Sequence, residues 1–65
     1  MNIYVNGQAY DAATSDLTSL LGDLGFEQEI FATALNGEFV PESQRAAVIL
    51  RQDDRLEIVS PMQGG

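Results

Sequence analysis

Cysteine, histidine and lysine are all missing from this 65-residue chain, and each absence removes a class of function. Without cysteine there is no disulfide, no thiolate nucleophile and no cysteine-ligated metal. Without histidine the commonest general base and transition-metal ligand is gone as well, leaving carboxylates, hydroxyls and three arginines. Basic charge is equally scarce. Ten acidic residues against three arginines give a formal net charge of −7, a surface that phosphate backbones and anionic membranes would repel and a basic protein partner would attract. The same charge also keeps a small domain soluble. Long apolar runs are absent too: none approaches the ~20 residues of a membrane-spanning helix. The N-terminus has no basic segment leading into an apolar core, so no signal peptide is expected and the expected location is the cytoplasm. A chain of this length makes one domain, which buries about 60% of its unfolded surface and has no room for a deep catalytic cavity. The expectation is a single domain over residues 1–65 that is not an enzyme, binds no cofactor or metal of its own, and is a monomer when free.

What is present is organised around the end of the sequence, Met62-Gln63-Gly64-Gly65. Glycine makes up about 7% of average usage, so a closing pair arises by chance roughly once in two hundred chains. Two residues without Cβ make a thin tail whose carboxylate can be threaded where a side chain would collide. Gly65 is therefore the candidate for covalent chemistry, with Gly64, Gln63 and Met62 as the segment threaded into a partner. A frayed terminus with no role is the plain alternative.

Residues 1–5 alternate, with Met1, Ile3 and Val5 on one side and Asn2 and Tyr4 on the other, the period of a half-buried strand. Asn6-Gly7 then predicts a type I′ hairpin turn, with 8–11 pairing back. From Asp16 the period changes. Leu17, Leu20, Leu21 and Leu24 fall on one stripe, predicting an amphipathic helix of about nine residues with Asp16 or Ser15 as N-cap. Gly25 followed by Phe26 predicts a Schellman ending. Gly22, inside the helix, either marks a close packing contact or weakens the element by about 1 kcal/mol. A polar connection at 27–29 leads to 30–36, apolar enough to read as a strand buried on both faces, with the small residues Ala32 and Ala34 on the face where a helix could lie close. Asn36-Gly37 repeats the hairpin signal, 38–40 returns, and Pro41 ends that strand. Residues 41–47 read as a loop with one helical turn, and 48–50 as a short strand or an apolar plug. After the polar turn Gln52-Asp53-Asp54, residues 55–60 alternate again, placing Leu56 and Ile58 inward and Arg55, Glu57 and Val59 outward. The body thus covers about 1–60, with Pro61 releasing a tail at 61–65. The element order predicts an α+β domain in which one helix covers one face of a sheet of four to five strands.

This layout, with Val5-Asn6-Gly7, Leu20-Leu21, Ala34-Leu35-Asn36-Gly37-Glu38-Phe39-Val40-Pro41, Asp54-Arg55-Leu56-Glu57-Ile58-Val59 and Gly64-Gly65 in order, resembles the ThiS family of sulfur carrier proteins of thiamine biosynthesis. The resemblance spans the whole chain. It implies a ubiquitin-like β-grasp fold, a mixed sheet whose first and last strands run parallel at its centre. It also implies a mechanism in which an E1-like adenylyltransferase uses ATP to adenylate the Gly65 carboxylate, sulfur from a persulfide donor enzyme displaces AMP, and the thiocarboxylate passes to thiazole synthase. Two departures stand out. Asp53-Asp54 replaces the Gly-Asp usual before the last strand, asking an aspartate to take a left-handed conformation, which it tolerates. Arg45 lies near where relatives carry a tryptophan, which puts an aromatic contact there in doubt. Tyr4, Val59 and one face of 30–36 are the candidate docking residues on the helix-free side. The molybdopterin-pathway sulfur carrier and a ubiquitin-like protein modifier share fold and tail and remain the alternatives.

Overall fold

The computed structural model describes residues 1–26 and 30–60. The predicted connection at 27–29 and the tail at 61–65 lie outside the described residues.

Alternation produces the strands. Strand β1 (Asn2–Val5) pairs antiparallel with β2 (Gln8–Asp11) in the register Ile3↔Tyr10 and Val5↔Gln8. Between them Asn6 and Gly7 have φ of 51° and 84°, the double positive that a type I′ turn demands. The second hairpin repeats this geometry: β3 (Ala32–Leu35) and β4 (Glu38–Val40) flank Asn36 and Gly37 at 52° and 84°. Strand β5 (Arg55–Val59) lies between the hairpins, parallel to β1 and antiparallel to β3. The sheet order is β2-β1-β5-β3-β4, so the first and last strands are neighbours and run parallel, as the resemblance implies.

Helix α1 (Leu17–Asp23) covers one face. Asp16 caps it: its Oδ2 accepts from the Ser19 amide at 3.1 Å and from the Ser19 hydroxyl at 2.7 Å. At the other end the Phe26 amide donates to the Leu21 carbonyl and the Gly25 amide to that of Gly22, the paired bonds of a Schellman motif, with Gly25 at φ +88°. That closure stops the helix at seven residues rather than about nine. Leu17 and Leu20 are fully buried and Leu21 nearly so, against Ile3, Leu56 and Ile58 from the two central strands. Each such side chain contributes about 1.5–3 kcal/mol by leaving water, which places the core between α1 and the β1–β5 pair.

Two expectations change and one alternative is decided. Residues 30–36 are not a strand buried on both faces: Ile30 is 82% exposed and precedes β3, and Ala32 is exposed. The side turned to the helix carries Thr33 and Leu35 of β3 and Phe31 just before it, not the alanines. Thr33 occupies this buried position because its hydroxyl donates to the Val40 carbonyl at 3.0 Å, so no polar group is stranded. Next, 42–47 form a 3₁₀ helix, Glu42–Ala47, in place of a loop with a single turn. Of the two readings of 48–50, the plug is the one found. Leu50 is buried, Ile49 is exposed, and a lone bridge from Ile49 to Asp16 ties the segment down.

The two departures from the family pattern have physical answers. Asp53 does adopt the left-handed conformation, at φ +69°. Arg45 supplies its own aromatic contact. Its guanidinium carbon sits 4.1 Å from the centre of the Phe31 ring, while Nη2 donates to the Phe31 carbonyl at 2.7 Å and Nε to Thr33 Oγ1 at 3.3 Å. Phe31 in turn packs against Phe26 at a centroid distance of 5.2 Å. Gly22 lines the crevice between α1 and the 3₁₀ helix, beside Arg45 and Ala46.

Candidate functional site: the tail-bearing strand and the open sheet face

Met62, Gln63, Gly64 and Gly65, the residues that carry the sequence-level site, lie outside the described residues. What the fold does show is the element they follow. Strand β5 is the middle strand of five, hydrogen-bonded on both sides, with Leu56 and Ile58 in the core. Ser60, directly after it, is 6% exposed, so the strand is seated in the body up to the residue before Pro61.

The hydrogen bonds on the two sides of β5 differ. On one side β3 runs alongside to the end, in the pairs Thr33↔Ile58 and Ala32↔Val59. On the other, β1 reaches only Val5↔Leu56 before the chain turns away at Asn6-Gly7. The Asn6 side chain takes over there. Its Oδ1 accepts from the Ile58 amide at 2.8 Å and its Nδ2 donates to the Ile58 carbonyl at 3.2 Å. Asn36 works similarly at the start of the strand, its Oδ1 accepting from the Arg55 amide at 2.9 Å and its Nδ2 donating to Asp54 Oδ1 at 3.1 Å. Sequence reading assigned both asparagines to turn geometry alone. No local signal marks the second role, because it depends on partners 52 and 18 residues away.

The helix-free face is an exposed surface built by register. Val59, 64% exposed, stands opposite Ala32, and Phe39, 68% exposed, opposite Ala34, while Tyr4, 39% exposed, stands beside Arg55. Directly opposed residues have Cβ atoms about 4.5–5.5 Å apart, so Val59 with Ala32 and Phe39 with Ala34 make two apolar pairs on this face, the first at the end of β5, with the exposed Glu57 opposite Ala34 beside them. Tyr4, Val59 and one face of 30–36 were the expected docking positions; the structure brings Tyr4 and Val59 onto one surface, and the face of 30–36 that joins them is that of Ala32 and Ala34, the residues expected to lie against the helix. Phe39 was missed, though alternation with buried Val40 could have found it. A shallow groove lined by Tyr4, Gly7, Asn36, Gly37, Arg55 and Glu57 lies at the opposite end of β5, by the two turns.

Comparison with known proteins settles the kinship. The ThiS family model matches residues 3–65. The chain belongs to the ThiS family. The crystal structure of thiamine biosynthesis protein ThiS from Geobacter metallireducens is similar to it over 100% of both chains, with a TM-score of 0.81 and 29% sequence identity. The ubiquitin-like β-grasp of that ThiS structure is therefore the fold here. Two thiazole synthases also match, from Paramagnetospirillum magneticum at 36% and from Magnetococcus marinus at 38% identity, each over 66 residues. The alignment takes in all of this chain but 20% of each synthase, so the ThiS-like chain spans a fifth of the length of these curated relatives. No helix among the described residues is long and apolar enough to cross a membrane.

Proposed function

We propose that this chain is a cytoplasmic sulfur carrier of thiamine biosynthesis, monomeric when free, which presents the Gly65 carboxylate to partner enzymes and does no catalysis itself. The observation that carries this reading is the family match over residues 3–65, which takes in the Gly64-Gly65 pair. The chain supplies a carboxylate, a thin tail and a docking face, and the enzymes supply the rest. On an E1-like adenylyltransferase, a Gly65 carboxylate oxygen attacks the α-phosphorus of ATP and pyrophosphate leaves. The terminal sulfur of a donor persulfide then attacks the acyl carbon and expels AMP. Reduction of the resulting acyl disulfide by a thiol frees the thiocarboxylate. ATP binds the enzyme, and this chain holds no cofactor.

Thiazole synthase is the proposed acceptor of the sulfur. Two such enzymes carry a segment alignable to this entire chain within their own polypeptides, and covalent linkage of two modules raises their effective concentration for each other. The face carrying Val59, Ala32, Ala34 and Phe39 is the proposed docking face, and Val59 comes just before the tail in the sequence, so one partner can engage both. Met62, Gln63 and Gly64 are threaded into the enzyme, with Gly64 fitting a channel shaped for bare backbone.

Intact-mass analysis of protein isolated from its native host tests the proposal. A fraction carrying one sulfur in place of one oxygen, assigned to Gly65 by fragmentation, is expected. A host population with only the carboxylate, under thiamine starvation, refutes it.

A further inference from the structure

We propose that Asn6 is a positioning residue for the chemistry at the tail: its carboxamide stands in for a missing strand residue and fixes the end of β5 from which residues 61–65 are presented. This deepens the carrier reading and rests on it for its catalytic consequence.

The argument begins with an unpaired edge. Strand β1 follows β5 through Val5↔Leu56, and the Asn6 amide donates to the Leu56 carbonyl at 2.9 Å. The next step of a parallel ladder would pair backbone beyond Asn6 with Ile58. The chain cannot supply it, because φ of 51° at Asn6 and 84° at Gly7 turns it into the hairpin. Ile58 is 2% exposed, so without a substitute its amide and carbonyl on that side would lie unsatisfied beside the core. The Asn6 carboxamide satisfies both, at 2.8 and 3.2 Å. Its planar group presents an N–H donor and a C=O acceptor side by side, as the backbone of a paired strand residue does. The ladder is thereby lengthened at the point where β5 hands over to Ser60.

Fixing that point matters because the reacting carboxylate sits on a short chain beyond it. Displacing the root of the tail displaces the carboxylate, and a 1 Å misplacement of reacting groups costs on the order of 100-fold in rate. Docking through the open face does not involve the Asn6 side chain, which is turned to Ile58. Loss of the carboxamide should thus lower kcat for adenylation and leave KM for the carrier unchanged.

Two variants separate this role from the turn itself. Asn6→Gly keeps the positive φ and removes the carboxamide; Asn6→Asp keeps the φ and the acceptor but replaces the donor with a carboxylate oxygen facing the Ile58 carbonyl. In Asn6→Gly, which removes the acceptor, the Ile58 amide should exchange hydrogen at least about tenfold faster than in the parent, a factor equivalent to 1.4 kcal/mol, while Thr33 and Ile3 keep their protection; Asn6→Asp keeps that acceptor and is read by pH. Protonating the introduced carboxylate restores a donor. The new carboxyl is held in its neutral form by the carbonyl it faces, which raises its pKa in the folded state, so the stability deficit of Asn6→Asp relative to the parent closes at low pH and opens as pH rises through that pKa. With the E1-like enzyme of the same organism and ATP, pyrophosphate release should show kcat lowered by about 10- to 100-fold at unchanged KM. Parental exchange at Ile58 in Asn6→Gly overturns the proposal. So does a raised KM at unchanged kcat. If the unmodified chain itself releases no pyrophosphate, the carrier reading fails, and the exchange and pH arms alone decide whether Asn6 holds β5.

Discussion

Replacing Arg45 with alanine should destabilise the fold by about 1.5 kcal/mol, although the side chain belongs to neither the aliphatic core nor the proposed site. A guanidinium hydrogen bond such as that to the Phe31 carbonyl at 2.7 Å contributes about 1.5–3 kcal/mol. The cation over the Phe31 ring at 4.1 Å adds about 1 kcal/mol for a half-buried pair. Ordering the long side chain costs up to about 2 kcal/mol. A domain of this size gains about 3 to 5 kcal/mol in all, so the loss is a large fraction of the total. At about 4–8 °C per kcal/mol for a domain of 60–100 residues, the melting temperature should fall by about 6–12 °C. Arg45→Lys retains charge and one hydrogen bond but not the planar stack, and should lose about half as much. The assay is thermal and urea unfolding of both variants, with Phe31→Leu added to close a double-mutant cycle. Coupling between positions 31 and 45 should then be about 0.5–1 kcal/mol. Arg45→Ala melting within about 2 °C of the parent, or a cycle with zero coupling, would refute the reasoning.

Leu20→Ala, at a fully buried position under the sheet, should cost about 2–5 kcal/mol and shift the urea midpoint sharply downward. Appending one alanine after Gly65, or making Gly64→Ala, should change stability by no more than about 0.5 kcal/mol yet abolish thiocarboxylate formation as read by mass; sulfuration of the extended chain at the parental rate removes Gly65 from the mechanism. The association rate with the adenylating enzyme should fall as salt rises, because charges more than about 10 Å apart are screened at 0.1 M and the chain carries a net −7.

The parts of the fold that sequence revealed are those set by local chemistry. Asn-Gly twice, Asp16 before the leucine stripe and Gly25-Phe26 after it each impose a backbone conformation within a few residues, and each is found where expected. The parts it did not reveal depend on partners far along the chain. Alternation in 31–35 separates two faces but cannot say which one meets the helix. The deciding facts are the Val40 carbonyl that accepts from Thr33 and the Arg45 group that stacks on Phe31, 14 residues away. For the same reason the asparagines read as turn formers and not as partners of β5. The open face was half legible: Tyr4 and Val59 follow from period two, whereas their union with Ala32, Ala34 and Phe39 requires the β3–β5 register. The tail's role was read from Gly64-Gly65 and the family resemblance, and its test is chemical.

Placing the tail after the central strand, and not after an edge strand, has a mechanical consequence for a carrier. An edge strand drawn into a partner would peel away one hydrogen bond at a time from a single neighbour. Strand β5 is held by β3 on one side and by β1 with Asn6 on the other, while Leu56 and Ile58 anchor it from below. Drawing on the residues beyond it must break both ladders together and expose core, so the work done in threading the tail is confined to residues 61–65. Stability and chemistry should then be separable. A core variant such as Leu20→Ala, assayed below its own melting temperature, should be adenylated with parental kcat despite having lost much of its stability. A kcat that falls in proportion to that loss, at temperatures where the chain is still folded, would mean that the body yields when the tail is engaged.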